Sequence, residues 1–130
     1  MIIYRSIDIE DEIRKAIGDY VMAYVRPLPD NFDVPSVLVE LMGGTSENTI
    51  DSFTVRISAR ATTDAEALET LRNALGILKH QSKEQIGGIR YTAENNLMSW
   101  GNDPIRPDLK LCSATVSAIA HKESYEINES

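Results

Sequence analysis

The side chains that could do chemistry in this chain are few and widely spaced. His80 and His121 have no CxxC, HxxxH or HExxH partner, so they lack the spacing of metal ligands. Cys112 lies within a predicted strand of small apolar residues, where burial disfavours the thiolate that a nucleophile needs. Asp11 and Glu12 lie on the predicted solvent face of a helix, a poor setting for acid–base catalysis at neutral pH. These residues predict no catalytic site and no metal site.

Two glycine pairs could suggest a phosphate-binding loop, but neither has the required pattern. Gly43–Gly44 and Gly87–Gly88 fit neither GxGxxG after a strand nor GxxxxGK[ST]. Both pairs are typical of turns whose backbone needs positive φ. The sequence therefore predicts two turns and no cofactor.

Composition limits the classes of function further. The 130 residues, 42% of them hydrophobic, are enough for one domain with a real core. No apolar run approaches the ~20 residues of a membrane helix, and no export signal is recognisable. One cysteine allows no internal disulfide, which fits a reducing compartment. The net charge of −7 argues against tight non-specific binding to nucleic acid. It can serve solubility alone, or it can line a channel through which DNA slides without sticking.

Two amphipathic helices are predicted. Ile9, Ile13 and Ile17 recur at helical spacing after a capping Asp8, which predicts a helix that continues to about residue 21. Residues 63–66 read TDAE and match a capping box. The helix after this box carries a leucine stripe that we expect to pack against a sheet rather than in a coiled coil; its members are Leu68, Leu71, Leu75 and Leu78.

Strand patterns fill much of the remaining chain. The segment RPLPDNFDVP at residues 26–35 is predicted to be a stiff connector. Residues 37–42 predict a strand that ends at Gly43–Gly44, followed by a loop at 45–49 and a clearly alternating strand at 53–59. Later segments predict a strand at 89–95, an irregular segment at 96–108 and a long strand at 109–121. Residues 122–130 are predicted to be a frayed polar tail.

The order of these elements predicts the fold class. An α-β-β-α-β-β order favours a single α+β domain over residues 1–121, with an antiparallel or mixed sheet of about four strands and both helices on one face. The edges of such a sheet, and its loops, are natural contact sites for neighbouring subunits. We expect these contacts in the predicted loops 43–49 and 97–108, at Gly43, Gly44, Glu47, Trp100, Asp103, Arg106 and Asp108.

Three stretches together resemble the tail terminator, or tail-to-head joining, proteins of long-tailed bacteriophages and prophage minor capsid or tail components. They are AYVRPLPDN at 23–31, FTVRISARA at 53–61 followed by TDAEA at 63–67, and WGNDPIRPD at 100–108 followed by the strand to His121. The resemblance spans most of the chain. Its features are a pattern and an order of elements rather than an invariant motif.

The resemblance implies a virion protein of the tail or neck, made in the bacterial cytoplasm and with no enzymatic activity. It implies a hexameric ring that caps the tail tube protein, stops tube polymerisation and offers a surface to the head–tail connector or neck protein. The subunits would form a hexamer on the tail and could be monomers when free, and DNA would pass through the ring without specific binding. Two alternatives stay open: another neck or head-completion protein, and a small ligand-binding regulatory domain.

Overall fold

A five-stranded mixed sheet with two helices on one face forms the body of the protein. The computed structural model of the chain describes residues 1–83 and 89–128, without the side chains of 83 and 92–98. The elements in chain order are β1 Ile2–Arg5, α1 Ile9–Gly18, β2 Ala23–Val25, β3 Ser36–Glu47, β4 Ile50–Ala61, α2 Asp64–Lys83, β5 Ile89–Asn102, β6 Lys110–His121 and β7 Glu123–Glu126.

The sheet order is β2-β3-β4-β6-β5, in which β2 runs parallel to β3 and the other neighbours are antiparallel. Strands β1 and β7 form a separate two-stranded antiparallel sheet. The predicted α+β class and mixed sheet are confirmed. The predicted number of about four strands is wrong, because short strands such as β1 and β2 offer too few residues for an alternating pattern.

The core lies between one face of the sheet and the two helices. Alternate residues of β4 and β6 are buried there, and Ile9, Ile13 and Ile17 of α1 pack against the same cluster. Helix α2 buries Leu71, Leu75 and Leu78, so the predicted stripe faces the sheet, with Leu68 partly buried at its side. The strand residues of this core are Val37, Val39, Phe53, Val55, Ile57, Ala59, Ala61, Cys112, Ala114, Val116, Ala118 and Ala120.

Both predicted helix starts are present. The Asp8 side chain accepts a hydrogen bond from the backbone N–H of Asp11, at 3.2 Å. The Thr63 hydroxyl accepts one from the backbone N–H of Glu66, also at 3.2 Å, as a capping box requires. Helix α1 ends at Gly18, about three residues earlier than predicted, and the N–H of Asp19 bonds the carbonyl of Ile17.

The hairpin between β3 and β4 is longer than predicted. Gly43 and Gly44 do not form a turn but lie inside β3, opposite Thr54 and Phe53 of β4. A bulge between Leu41 and Gly43 shifts the register before them. The predicted loop at 43–49 therefore shrinks to the two residues between β3 and β4, and the predicted turn at Gly87–Gly88 lies outside the described residues.

A Gly44→Ala substitution is expected to destabilise the hairpin. A Cβ at Gly44 would overlap the backbone carbonyl oxygen of Ser52, whereas a Cβ at Gly43 would meet nothing within 4 Å. The two residues share nearly the same φ, 158° and 157°, so Gly43→Ala is a matched control for backbone strain. We expect Gly44→Ala to cost about 1–3 kcal/mol more than Gly43→Ala in urea unfolding. Equal losses would mean that φ, and not the close approach of β4, makes glycine necessary at Gly44.

Two other predicted segments are corrected by pairing. The segment predicted to be irregular at 96–108 begins as strand, because β5 continues to Asn102 along β6. The residues predicted as a frayed tail at 122–130 include β7, which pairs with β1 from Glu123 to Glu126. The partner of β7 is distant in sequence, so local composition does not indicate that strand. The extension of β5 pairs with the next strand along the chain, β6, from Lys110 to Thr115.

Candidate functional site

The long hairpin gives the molecule two opposite ends. Strand β3 has 12 residues, so it separates these ends by about 40 Å. We name the end with residues 26–35 and 103–109 the connector end, and the end with the β3–β4 turn and the β1–β7 sheet the turn end. Seven residues were predicted to form contacts. Four of them lie at or next to the connector end: Trp100, Asp103, Arg106 and Asp108. Glu47 lies at the turn end, and Gly43 and Gly44 lie within β3.

A buried carboxylate fixes the loop at the connector end. Asp103 Oδ1 accepts hydrogen bonds from the backbone N–H groups of Ile105, at 2.9 Å, and Arg106, at 3.4 Å. Asp103 Oδ2 accepts from Arg60 Nε at 2.8 Å. Burial alone would raise the pKa of the Asp103 carboxyl, but these N–H donors and the Arg60 charge hold it below its ordinary value. Asp103 is therefore a buried anchor of the loop. Its predicted part in a subunit interface stays a prediction.

An aromatic ring joins the loop to the connector. Phe32, in the predicted stiff connector, is buried. The guanidinium of Arg106 lies 5.0 Å from the centre of its ring, and that of Arg60 lies 6.0 Å away. Contacts of this kind stabilise by about 0.5–1 kcal/mol at partly exposed sites. Arg106 is therefore half-buried against Phe32, and it helps to hold the loop in one position.

The fixed loop presents a large apolar side chain that the sequence analysis did not single out. Ile105 lies between two exposed prolines, and 83% of its surface is exposed. Trp100, near the end of β5 and opposite Cys112, is 50% exposed, and Asp108 is also exposed. Apolar groups on a stiff loop lose little conformational entropy when a partner covers them. The signal for Ile105 was an isoleucine held between prolines after an aspartate that can bond the following N–H groups.

A second buried ion pair lies at the turn end. Lys122 Nζ donates to Asp51 Oδ1 at 2.7 Å, to Ser46 Oγ at 2.6 Å and to the Glu47 carbonyl at 3.2 Å. Burial alone would raise the pKa of the Asp51 carboxyl, but Lys122 and the hydroxyls of Ser6 and Ser46 lower it to about 2. This pair ties the β3–β4 turn to the residue that joins β6 and β7. It was not predicted, because Lys122 was assigned to a frayed tail.

The described residues that could react are placed unfavourably for catalysis. Burial, with a smaller effect of the Asp64 charge, raises the pKa of the Cys112 thiol and so disfavours its thiolate. His80 and His121 are exposed, on α2 and at the end of β6. Within residues 1–83 and 89–128 no group of three or more histidine, cysteine or acidic side chains could hold a metal ion. In the same residues no helix is long and apolar enough to cross a membrane.

A groove of about 610 Å³ lies between the end of α1 and the outer side of α2. Its volume is within the range of roughly 300–1,000 Å³ that small-molecule sites have, so it is one concavity that the ligand-binding alternative could use. Among the described groups, those with a shifted pKa, including Asp51, Asp103 and Cys112, do not line it. Its lining residues are Tyr20, Val21, Arg72, Asn73, Gly76, Ile77, His80 and Gln81.

Comparison with known proteins adds no family to this picture. No protein-family model matches the chain, and no curated protein matches it. The resemblance to tail terminators therefore stays a prediction from the three stretches of sequence.

Proposed function

We propose that this chain is a non-enzymatic structural protein of a long-tailed bacteriophage, a tail terminator that stops tail-tube polymerisation and forms the tail side of the head–tail joint. In this role it is a virion component that assembles as a hexameric ring between the tail tube protein and the neck. The three stretches of sequence suggest the family. The two stiffened ends of the molecule fit a subunit that must contact one partner on each side.

The loop 103–109 is the observation that carries the proposal. Buried Asp103 and the Phe32 ring hold this loop in place, and the loop exposes Ile105 beside Trp100. A catalytic site would instead need shifted titratable groups that line a cleft. In the described residues the buried carboxylates Asp51 and Asp103 are paired with Lys122 and Arg60. Such pairs favour a structural role, in which the ions support the ends of the sheet.

The acidic charge agrees with the proposed ring. Phosphate binding depends on clustered lysine and arginine, and most basic side chains here are already paired with carboxylates. The paired ones include Arg5, Arg26, Arg56, Arg60 and Lys122. With a net charge of −7, the ring would repel DNA and let it pass.

Deletion of the gene from the parent phage tests the proposal. A terminator deletion is expected to give overlong or unattached tails beside DNA-filled heads in negative-stain micrographs of lysates. Normal, infectious particles would reject the proposal. Normal tails that fail to join leaking or unfinished heads would indicate the alternative, a head-completion or stopper protein, which binds DNA-filled heads rather than tail tubes.

Substitutions at the connector end are expected to abolish rescue of this deletion without unfolding the protein. Trp100→Ala and Ile105→Ala remove exposed apolar side chains, so thermal melts should shift little. Arg106→Ala removes the contact with Phe32 and tests whether the loop must be fixed. Tyr20→Ala is the matched control, because Tyr20 is an exposed aromatic residue on a different part of the surface. Full rescue by the double variant Trp100→Ala, Ile105→Ala would remove this loop from the assembly surface.

The groove beside α2 supports a second candidate function, the binding of a small ligand. A small ligand-binding domain would use Tyr20, Arg72 and His80 around this groove. In that case Tyr20→Ala, and not Trp100→Ala, would lose function. The same set of variants therefore separates the two functions.

A further inference from the structure

The two-stranded sheet formed by β1 and β7 has two open edges. Among the described residues, β1 pairs only with β7, so the outer side of each strand has no strand partner. A two-stranded sheet in water is marginally stable by itself, and open edges are templates for further pairing. This small sheet also carries exposed apolar residues: Ile2 is 66% exposed and Tyr4 is 72% exposed. Those features are typical of a surface that another strand covers.

The hydrogen bonds show which backbone groups point outward. Met1 and Ile127 form a doubly bonded pair. The Ile127 N–H donates to the Met1 carbonyl at 2.8 Å, and the Met1 amino group donates to the Ile127 carbonyl at 3.2 Å. Bonded and non-bonded pairs alternate along an antiparallel ladder. With Ile2 opposite Glu126 and Tyr4 opposite Ser124, the backbone groups of these four residues point away from the partner strand. Within residues 1–83 and 89–128 no other strand pairs with them, so they can bond a strand added at either edge.

Charge distinguishes the possible pairings of two copies. Strand β1 carries one charged side chain, Arg5, and no acid, whereas β7 carries Glu123 and Glu126. Two β7 edges would bring four carboxylates together, which opposes pairing. Two β1 edges would bring two Arg5 side chains to one interface, and neither β1 strand has an acid to pair with the arginine of the other copy. Of the three pairings, only a β1 edge against a β7 edge sets Arg5 near the acids of the next copy.

The pairing inside one chain already shows that this combination works. Arg5 Nε lies 2.9 Å from Glu123 Oε1, and the Arg5 guanidinium lies 3.6 Å from the centre of the Tyr125 ring. Because outward groups alternate with inward ones, an added strand can repeat the same register on the outer side. Ile2 would then lie opposite Glu126 of the next copy, and Tyr4 opposite its Ser124.

We infer that the β1–β7 sheet is a strand-addition surface for a second copy of this chain, in which the β1 edge of one copy pairs with the β7 edge of the next. This contact is heterologous, so repetition closes a ring or extends a chain. The inference deepens the proposed function, and it rests on that function for the closure of the ring. Four residues on each side make a small interface, so self-association of purified protein is expected to be weak and to increase with concentration.

Sedimentation of the purified full chain over a concentration series tests the inference. The unmodified chain should form larger species as concentration rises. Tyr4→Pro and Ser124→Pro each remove an outward N–H and leave the pairing inside the chain, so each variant alone should lose self-association. An equal mixture should recover dimers that grow no further, because one variant keeps an intact β7 edge and the other an intact β1 edge. Ser124→Thr, which keeps its N–H, should behave like the unmodified chain.

Several outcomes would overturn the inference. Self-association of Ser124→Pro alone would indicate pairing between two β1 edges, and self-association of Tyr4→Pro alone would indicate pairing between two β7 edges. Hydrogen exchange on the unmodified chain provides a readout that needs no variant. The Tyr4 and Ser124 amides should gain protection with concentration, while the inward Ile3 amide should not change. A monomer at every concentration with constant protection of Tyr4 and Ser124 would reject the contact.

The proposed function is tested separately. A monomeric purified protein together with overlong tails in the gene deletion would reject the strand-addition surface and keep the terminator. Self-association through β1 and β7 together with normal tails in the deletion would keep the strand-addition surface and reject the terminator.

Discussion

A Lys122→Met substitution is expected to destabilise the protein by about 3–5 kcal/mol, the usual cost of removing one partner of a buried ion pair. The Lys122 ammonium is the counter-ion of Asp51, and both side chains are largely buried. Methionine has a similar length, so it keeps much of the packing and leaves the carboxylate without its charge partner. The free energy of unfolding, from urea titrations at neutral pH, measures the loss. Lys79→Met is the control, because Lys79 is exposed on α2 and should change stability by no more than about 0.5 kcal/mol.

The pH dependence of the stability of the unmodified protein and of Lys122→Met tests whether loss of the ion pair causes the destabilisation. The pKa of Asp51 is about 2 in the folded chain, below its ordinary value of 3.8. A lowered pKa contributes stability above about pH 4, and this contribution is lost as the pH falls through about 2. Without Lys122, burial is expected to raise the Asp51 pKa, so acid should relieve the buried charge in the variant. The stability gap between the two proteins should therefore narrow from pH 4 to pH 2. A constant gap would show that lost packing, and not the ion pair, causes the effect.

A Leu71→Ala substitution is expected to cost about 2–5 kcal/mol, as a large-to-small change in a packed core. Leu71 is fully buried where α2 packs on the sheet, and its removal leaves a cavity between the two layers. Thermal or urea unfolding measures the loss. Leu68→Ala is the matched control, because Leu68 belongs to the same stripe but is only partly buried. If both changes cost the same, the leucine stripe does not face the sheet as described.

Residues of the candidate site could be predicted only where the composition of their own segment indicates their role. Trp100, Arg106 and Asp108 are predicted to contact neighbouring subunits, Trp100 as an aromatic anchor and the other two from the stiff composition of their segment. In the fold Trp100 and Asp108 are exposed. Asp103 has the same composition around it but is buried, because Arg60, 43 positions away in sequence, supplies its counter-charge. Lys122 and Asp51 are 71 positions apart, and nothing near either residue indicates the other. Ion pairs between distant residues need the fold before they can be recognised.

The sequence by itself determined the α+β class, the starts of both helices and the buried faces of α1, α2, β4 and β6. These features depend on spacing within one element or on a cap three residues away, so they are local. Only the tertiary structure decided that Gly43 and Gly44 lie within β3, that Trp100 lies on a strand and that β7 pairs with β1. Each of these depends on pairing with another strand that satisfies backbone N–H and carbonyl groups, and the composition of a segment by itself does not show where that pairing begins or ends.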